Sequence, residues 1–122
     1  MKLAYTIDPE QRLITITGEY AGPDDWKDIL SRVLTDPDRL PGFVLLRDLR
    51  TATTPTDAET VVEVINVVRD FWPKLELSRY AVVTPLNMDP AALVAQALAD
   101  REEIPMGIFP TCEEAMLWLR QK

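Results

Sequence analysis

Asp48 and Arg50 flank Leu49 at the end of the apolar run Phe43-Val44-Leu45-Leu46, and Thr51, Thr53 and Thr54 follow directly. A carboxylate, a guanidinium and three hydroxyls gathered this closely could hold an anion or make charge-assisted contacts to a partner. With Asp48 as base and Arg50 beside it they could also support carboxylate-based catalysis, although two charges fall far short of a full catalytic set. The placement matters as much as the residue types. A strand that breaks into polar residues before a helix puts them where open α/β sheets bind ligands, next to the exposed amide groups and positive dipole end of that helix. The plain structural reading is that Thr54 caps the helix while Arg47, Asp48 and Arg50 form solvated pairs or anchor neighbouring loops. A second loop, Thr84-Pro85-Leu86-Asn87-Met88-Asp89, offers Asn87 and Met88 as the other wall of a cleft, if the two preceding strands run parallel. Turn and cap chemistry around two prolines is its structural reading.

Other chemistries find less support. The chain has no histidine, which removes the usual general base near neutral pH, the serine-triad relay and the commonest zinc ligand. Cys112 is the single cysteine and sits beside Glu113 and Glu114, which oppose a thiolate. It can form no internal disulfide, as suits a reducing compartment. Asp24, Asp25 and Asp28 suit the first turn of a helix and lack the spacing of a calcium loop. No metal and no cofactor are expected, and no glycine-rich phosphate loop is present.

The elements that must position these residues follow from periodicity. Leu3, Tyr5 and Ile7 alternate with polar or small positions, as do Ile14 to Thr17, and Asp8-Pro9-Glu10-Gln11 separates the two runs, which predicts a β-hairpin. Pro23 then opens a helix carrying Trp26, Ile29, Leu30, Val33 and Leu34, ending near Asp36-Pro37. Phe43 to Leu46 is apolar at consecutive positions, as in a strand covered on both faces. The run Val61 to Val68 is rich in β-branched residues, yet Glu59, Glu63, Asn66 and Asp70 recur every three or four positions, so length and period predict a helix. Thr54 as N-cap with Pro55 at the first turn would start it. Tyr80 to Val83 forms the next strand, and Asp89-Pro90 starts a helix with Leu93, Val94, Ala97 and Leu98 on its buried side. Met106 to Phe109 forms a last strand, and Thr111-Cys112-Glu113-Glu114 has capping-box form before Ala115, Met116, Trp118 and Leu119. The order is ββαβαβαβα: an α/β fold with an N-terminal antiparallel hairpin, then parallel βα units with right-handed crossovers, in a five-stranded mixed sheet. Trp26, Trp72 and Trp118, with Phe71 and Met116, are expected mostly in the core. Any left exposed, with Leu13, Thr15 and Thr17, would line a cleft or a subunit interface.

At 122 residues and 47% hydrophobic the chain can build one core, so residues 1–122 read as one domain. A formal net charge of −7 repels phosphate backbones and anionic lipid, and no basic run offsets it, which argues against nucleic-acid binding. The absence of a long apolar stretch argues against stable membrane insertion, and the first residues lack the layout of a signal peptide, so a cytoplasmic location is expected.

The Ile7-Asp8-Pro9-Glu10 turn, the strand end Asp48-Leu49-Arg50, the strand Tyr80-Ala81-Val82-Val83, and Phe109-Pro110-Thr111 with Ala115 and Trp118-Leu119 together resemble the SpoIIAA-like proteins of STAS/SEC14 type over nearly the whole chain. The resemblance implies a small bacterial or archaeal domain without known catalytic activity, related in fold to anti-anti-sigma factors. Those regulators carry a phosphorylatable serine at the start of the helix after the strand that here ends in Asp48. This chain reads Thr56-Asp57-Ala58-Glu59 there, so a kinase-operated switch is not implied. The expected function is a non-enzymatic regulatory or protein-interaction module that binds through its strand-end loops. The alternative, from the SEC14 side of the resemblance, is a carrier or sensor of a small hydrophobic or amphipathic ligand. An exposed sheet edge makes a homodimer a further option.

Overall fold

The computed structural model describes residues 3–52, 57–85 and 90–121. It begins with strands β1 (Leu3–Asp8) and β2 (Leu13–Gly18), paired antiparallel with Leu3 opposite Gly18 and Asp8 opposite Leu13. The Asp8 carboxylate closes their turn by accepting from the Glu10 and Gln11 amides at 3.1 and 3.2 Å, the self-bonding for which aspartate is favoured in turns. Helix α1 (Pro23–Thr35) follows, with Pro23 at its start, Asp24 and Asp25 in its first turn, and Trp26, Ile29, Leu30 and Val33 buried along one stripe.

Strand β3 (Val44–Asp48) pairs parallel with β2, and β4 (Tyr80–Val83) and β5 (Met106–Phe109) continue the parallel run, so spatial order equals chain order. Helix α2 (Ala58–Leu75) spans the β-branched run, as its polar period required. It starts later than the sequence suggested. Asp57 is the N-cap, in place of the expected Thr54, and accepts from the Thr60 amide at 2.7 Å. Thr54 and Pro55 themselves lie outside the described residues. An aspartate suits this position because its carboxylate is also attracted by the helix dipole. Glu76, in the left-handed region with φ 56°, ends the helix.

Helix α3 (Pro90–Arg101) buries a different stripe from the one expected. Ala91 and Ala99 are buried and Ala95 and Leu98 pack on the core, whereas Leu93 is 50% exposed and Ala97 is exposed. Alanines four apart let this helix sit close to the sheet, while Leu93 points outward and Leu98 packs on the core as expected. Helix α4 (Cys112–Leu119) is capped by the Thr111 hydroxyl, which accepts from the Glu114 amide at 3.2 Å.

The sheet divides two apolar layers. One face carries α1, α2 and α3 over Ile14, Ile16, Leu45, Tyr80, Val82 and Met106. The other carries α4 alone, over Val44, Leu46, Ala81 and Val83. Trp26 is buried, while Trp72 and Trp118 are half-buried: Trp72 stacks on Tyr80 with centroids 6.3 Å apart, and Trp118 tilts against Phe109 at 5.5 Å. On β2, Leu13 packs on the α4 layer, and Thr17 is exposed.

Candidate functional site

Parallel pairing brings the two expected loops to one rim. Asp48 lies opposite Val83, the Leu49 amide donates to the Val83 carbonyl at 2.8 Å, and the Thr84 amide donates to the Phe109 carbonyl at 2.9 Å. The chain therefore leaves β3, β4 and β5 on the same side, as strands of one direction must. At this rim Asp48 and Arg50 form a two-pronged pair: Arg50 Nε donates to Oδ1 at 3.0 Å and Nη2 to Oδ2 at 2.8 Å. The Arg50 amide also donates to Oδ1 at 3.0 Å, so the loop folds back on the strand end. These bonds hold the Asp48 carboxyl below its ordinary range and raise Arg50. Asp48 is largely covered, at 17% side-chain exposure, while Arg50 presents 54% of its side chain to solvent beside exposed Thr51. Thr53, Thr54, Asn87 and Met88 fall outside the described residues, so the structure brings together Asp48, Arg50 and Thr51 from the expected set.

The structure adds a feature that the charged run Arg47-Asp48 concealed. Side chains alternate along β3, so Leu45, Arg47 and Leu49 share the face covered by three helices. Arg47 is 2% exposed. Its Nη1 and Nη2 donate to the carbonyls of Gly18 and Glu19 at 3.2 and 2.7 Å, and its guanidinium carbon lies 5.6 Å from the Trp26 ring centroid. No ion pair neutralises it among the described residues. Burial pulls its pKa down, opposed by Tyr80, Tyr20, Asp48 and Glu19. It remains protonated, because guanidinium titrates far above neutrality.

Arg47 lines a cavity of about 170 Å³ between the sheet and α1, α2 and α3. Apolar walls come from Trp26, Val61, Val64, Ile65, Val82 and Ile108, and Ala91, Ala92 and Ala95 of α3 complete them. Tyr80, Thr60 and Thr84 add hydroxyls. Burial pushes the Tyr80 phenol up to about 12, so it is neutral at physiological pH. The cavity could have been suspected from Leu45-x-Arg47-x-Leu49, a cation at strand spacing between two leucines. The small-residue face of α3, which leaves room for it, carries no comparable signal. Cys112 is the first residue of α4, with Glu113 and Glu114 beside it.

No protein-family model and no curated protein matches the chain. Among solved structures it matches the crystal structure of an anti-sigma factor antagonist from Mycobacterium paratuberculosis. The match covers 98% of this chain and 95% of the other, with a TM-score of 0.56 and 12% sequence identity. The fold is SpoIIAA-like. At that identity the likeness is one of fold: hairpin, parallel strands and flanking helices. Function has to be argued from the rim and the cavity. Among the described residues no helix is long and apolar enough to cross a membrane.

Proposed function

We propose that this chain is a non-enzymatic regulatory module that recognises a protein partner with the rim formed by residues 48–54 and 84–89. The observation that carries this reading is the near end-to-end likeness to an anti-sigma factor antagonist, in a chain whose rim presents a fixed Asp48–Arg50 pair. A guanidinium held by one carboxylate but half open to solvent retains donors for an acidic group on a partner. The half-exposed pair adds only modest stability, and its solvent-facing donors are suited to recognition. Asp57 already places a fixed negative charge at the start of α2.

The test is partner capture by immobilised wild-type protein, followed by the same experiment with Arg50→Glu and Thr51→Glu combined. Capture should fall by about tenfold or more while the melting temperature stays put. Equal capture by the folded variant would refute the rim as the binding surface.

A specific observation also favours a second reading, the carrier or sensor of a small hydrophobic or amphipathic ligand. The cavity is mostly apolar with a few convergent polar groups, the usual make-up of a small-molecule site. The two readings are compatible, since Arg47 of the cavity and Asp48 of the rim are adjacent residues of β3.

A further inference from the structure

The second reading can be given a chemistry, and the inference that follows rests on it. A buried charge is costly unless compensated, and Arg47 is compensated only in part. Two of its N–H groups reach carbonyl oxygens, and Trp26 covers one face of the guanidinium. Glu19 and Asp48 act on it electrostatically, but neither makes an ion pair with it. A guanidinium has five donors in a planar fork, so an edge remains for a planar anion.

We propose that the cavity between the sheet and helices α1, α2 and α3 binds a small amphipathic monocarboxylate, with its carboxylate on Arg47 and its apolar body among Val64, Val82, Ile108 and Ala95. Three observations set the class. First, one cation balances one negative charge, so a doubly charged phosphate would bury an uncompensated charge. The overall charge of −7 also repels polyanions more strongly than a single carboxylate. Second, a volume of about 170 Å³ compares with the roughly 150 Å³ that accommodates benzene, which suits an aryl or short aliphatic body. Third, Tyr80 is neutral at physiological pH and Thr60 carries a hydroxyl, so both can donate to a carboxylate without adding charge.

Fluorine NMR of para-fluorophenylacetate, and of its neutral amide, tests this on the intact chain, with inorganic phosphate as competitor. The acid should bind at least roughly tenfold more tightly than the amide, the gain expected for a charge-assisted hydrogen bond over a neutral one. Arg47→Met should abolish that preference. Should Arg47→Met fail to fold, Val64→Phe provides the second test, because it fills the cavity while keeping the guanidinium and should abolish binding of the acid. Equal binding of acid and amide would overturn the carboxylate assignment and leave the sensor reading standing. No binding of either compound to the folded protein would overturn both. Displacement of the acid by equimolar phosphate would also reject the monocarboxylate class, as would unchanged binding in folded Arg47→Met or Val64→Phe.

Discussion

Arg47 and Asp48 are neighbours in β3 that serve opposite sides of the sheet: Arg47 lines the cavity under three helices, while Asp48 turns away from it and pairs with Arg50 at the rim. The separation follows from the two-residue repeat of an extended chain, which sends successive side chains to opposite faces. It places the two candidate sites within one peptide unit of each other.

Arg47→Met should lower unfolding stability by about 1–3 kcal/mol. The substitution relieves the desolvation cost of a buried charge, but it strips the Gly18 and Glu19 carbonyls of their donors next to an apolar cavity. Urea denaturation measures the outcome, and a variant as stable as the parent would mean that water satisfies those carbonyls.

The acid limb of stability should depend on Asp48 and Asp57. Both carboxyls titrate below their ordinary 3.8, Asp48 chiefly through the Arg50 side chain and Asp57 through the Thr60 amide. The unfolded chain therefore binds protons first as pH falls. The stability they contribute is fully present above about pH 4 and fades as pH drops through their lower folded values. Asp48→Asn combined with Asp57→Asn should flatten the stability profile below pH 4, and an unchanged slope would count against both contacts.

At the alkaline end the sign is reversed. Tyr80 holds its proton up to about 12 in the folded chain against an ordinary 10.0, so the unfolded state deprotonates first and stability falls between those values. Tyr80→Phe should remove a loss of about 1 kcal/mol between pH 9 and pH 11. Denaturation at pH 9 and pH 11 provides the comparison.

Gly107→Ala should destabilise by about 1–3 kcal/mol through overpacking, because a Cβ there would come within 2.8 Å of the Phe109 ring and 3.7 Å of Trp118. Adding Phe109→Leu should recover part of the loss. Thermal unfolding of the single and double variants decides it, and additive losses would rule out this clash as the cause.

The order of elements was legible because each run carried its own period, including the β-branched stretch of α2, whose polar residues marked a helix against local propensity. The common rim followed from parallel connections alone. Legibility failed where signals competed or were silent. Thr54-Pro55 resembles a helix start, and only the folded chain shows Asp57 as the cap, bonded to Thr60. On α3 the large residues Leu93 and Val94 drew attention from Ala91, Ala95 and Ala99, although the alanines form the inward stripe. In sequence Arg47 stands among charged neighbours, whereas its partners in space are the carbonyls of the first hairpin's exit and a tryptophan from α1.

A partner docked on the rim after β3 and β4 would shield the backbone amides there. Hydrogen-exchange mass spectrometry of the chain with and without its captured partner tests it most directly. Exchange should slow in peptides covering residues 48–52 and at Thr84 when the partner is bound. Protection confined to the outer surface of α4 or to the β1 edge, with the rim unchanged, would contradict it.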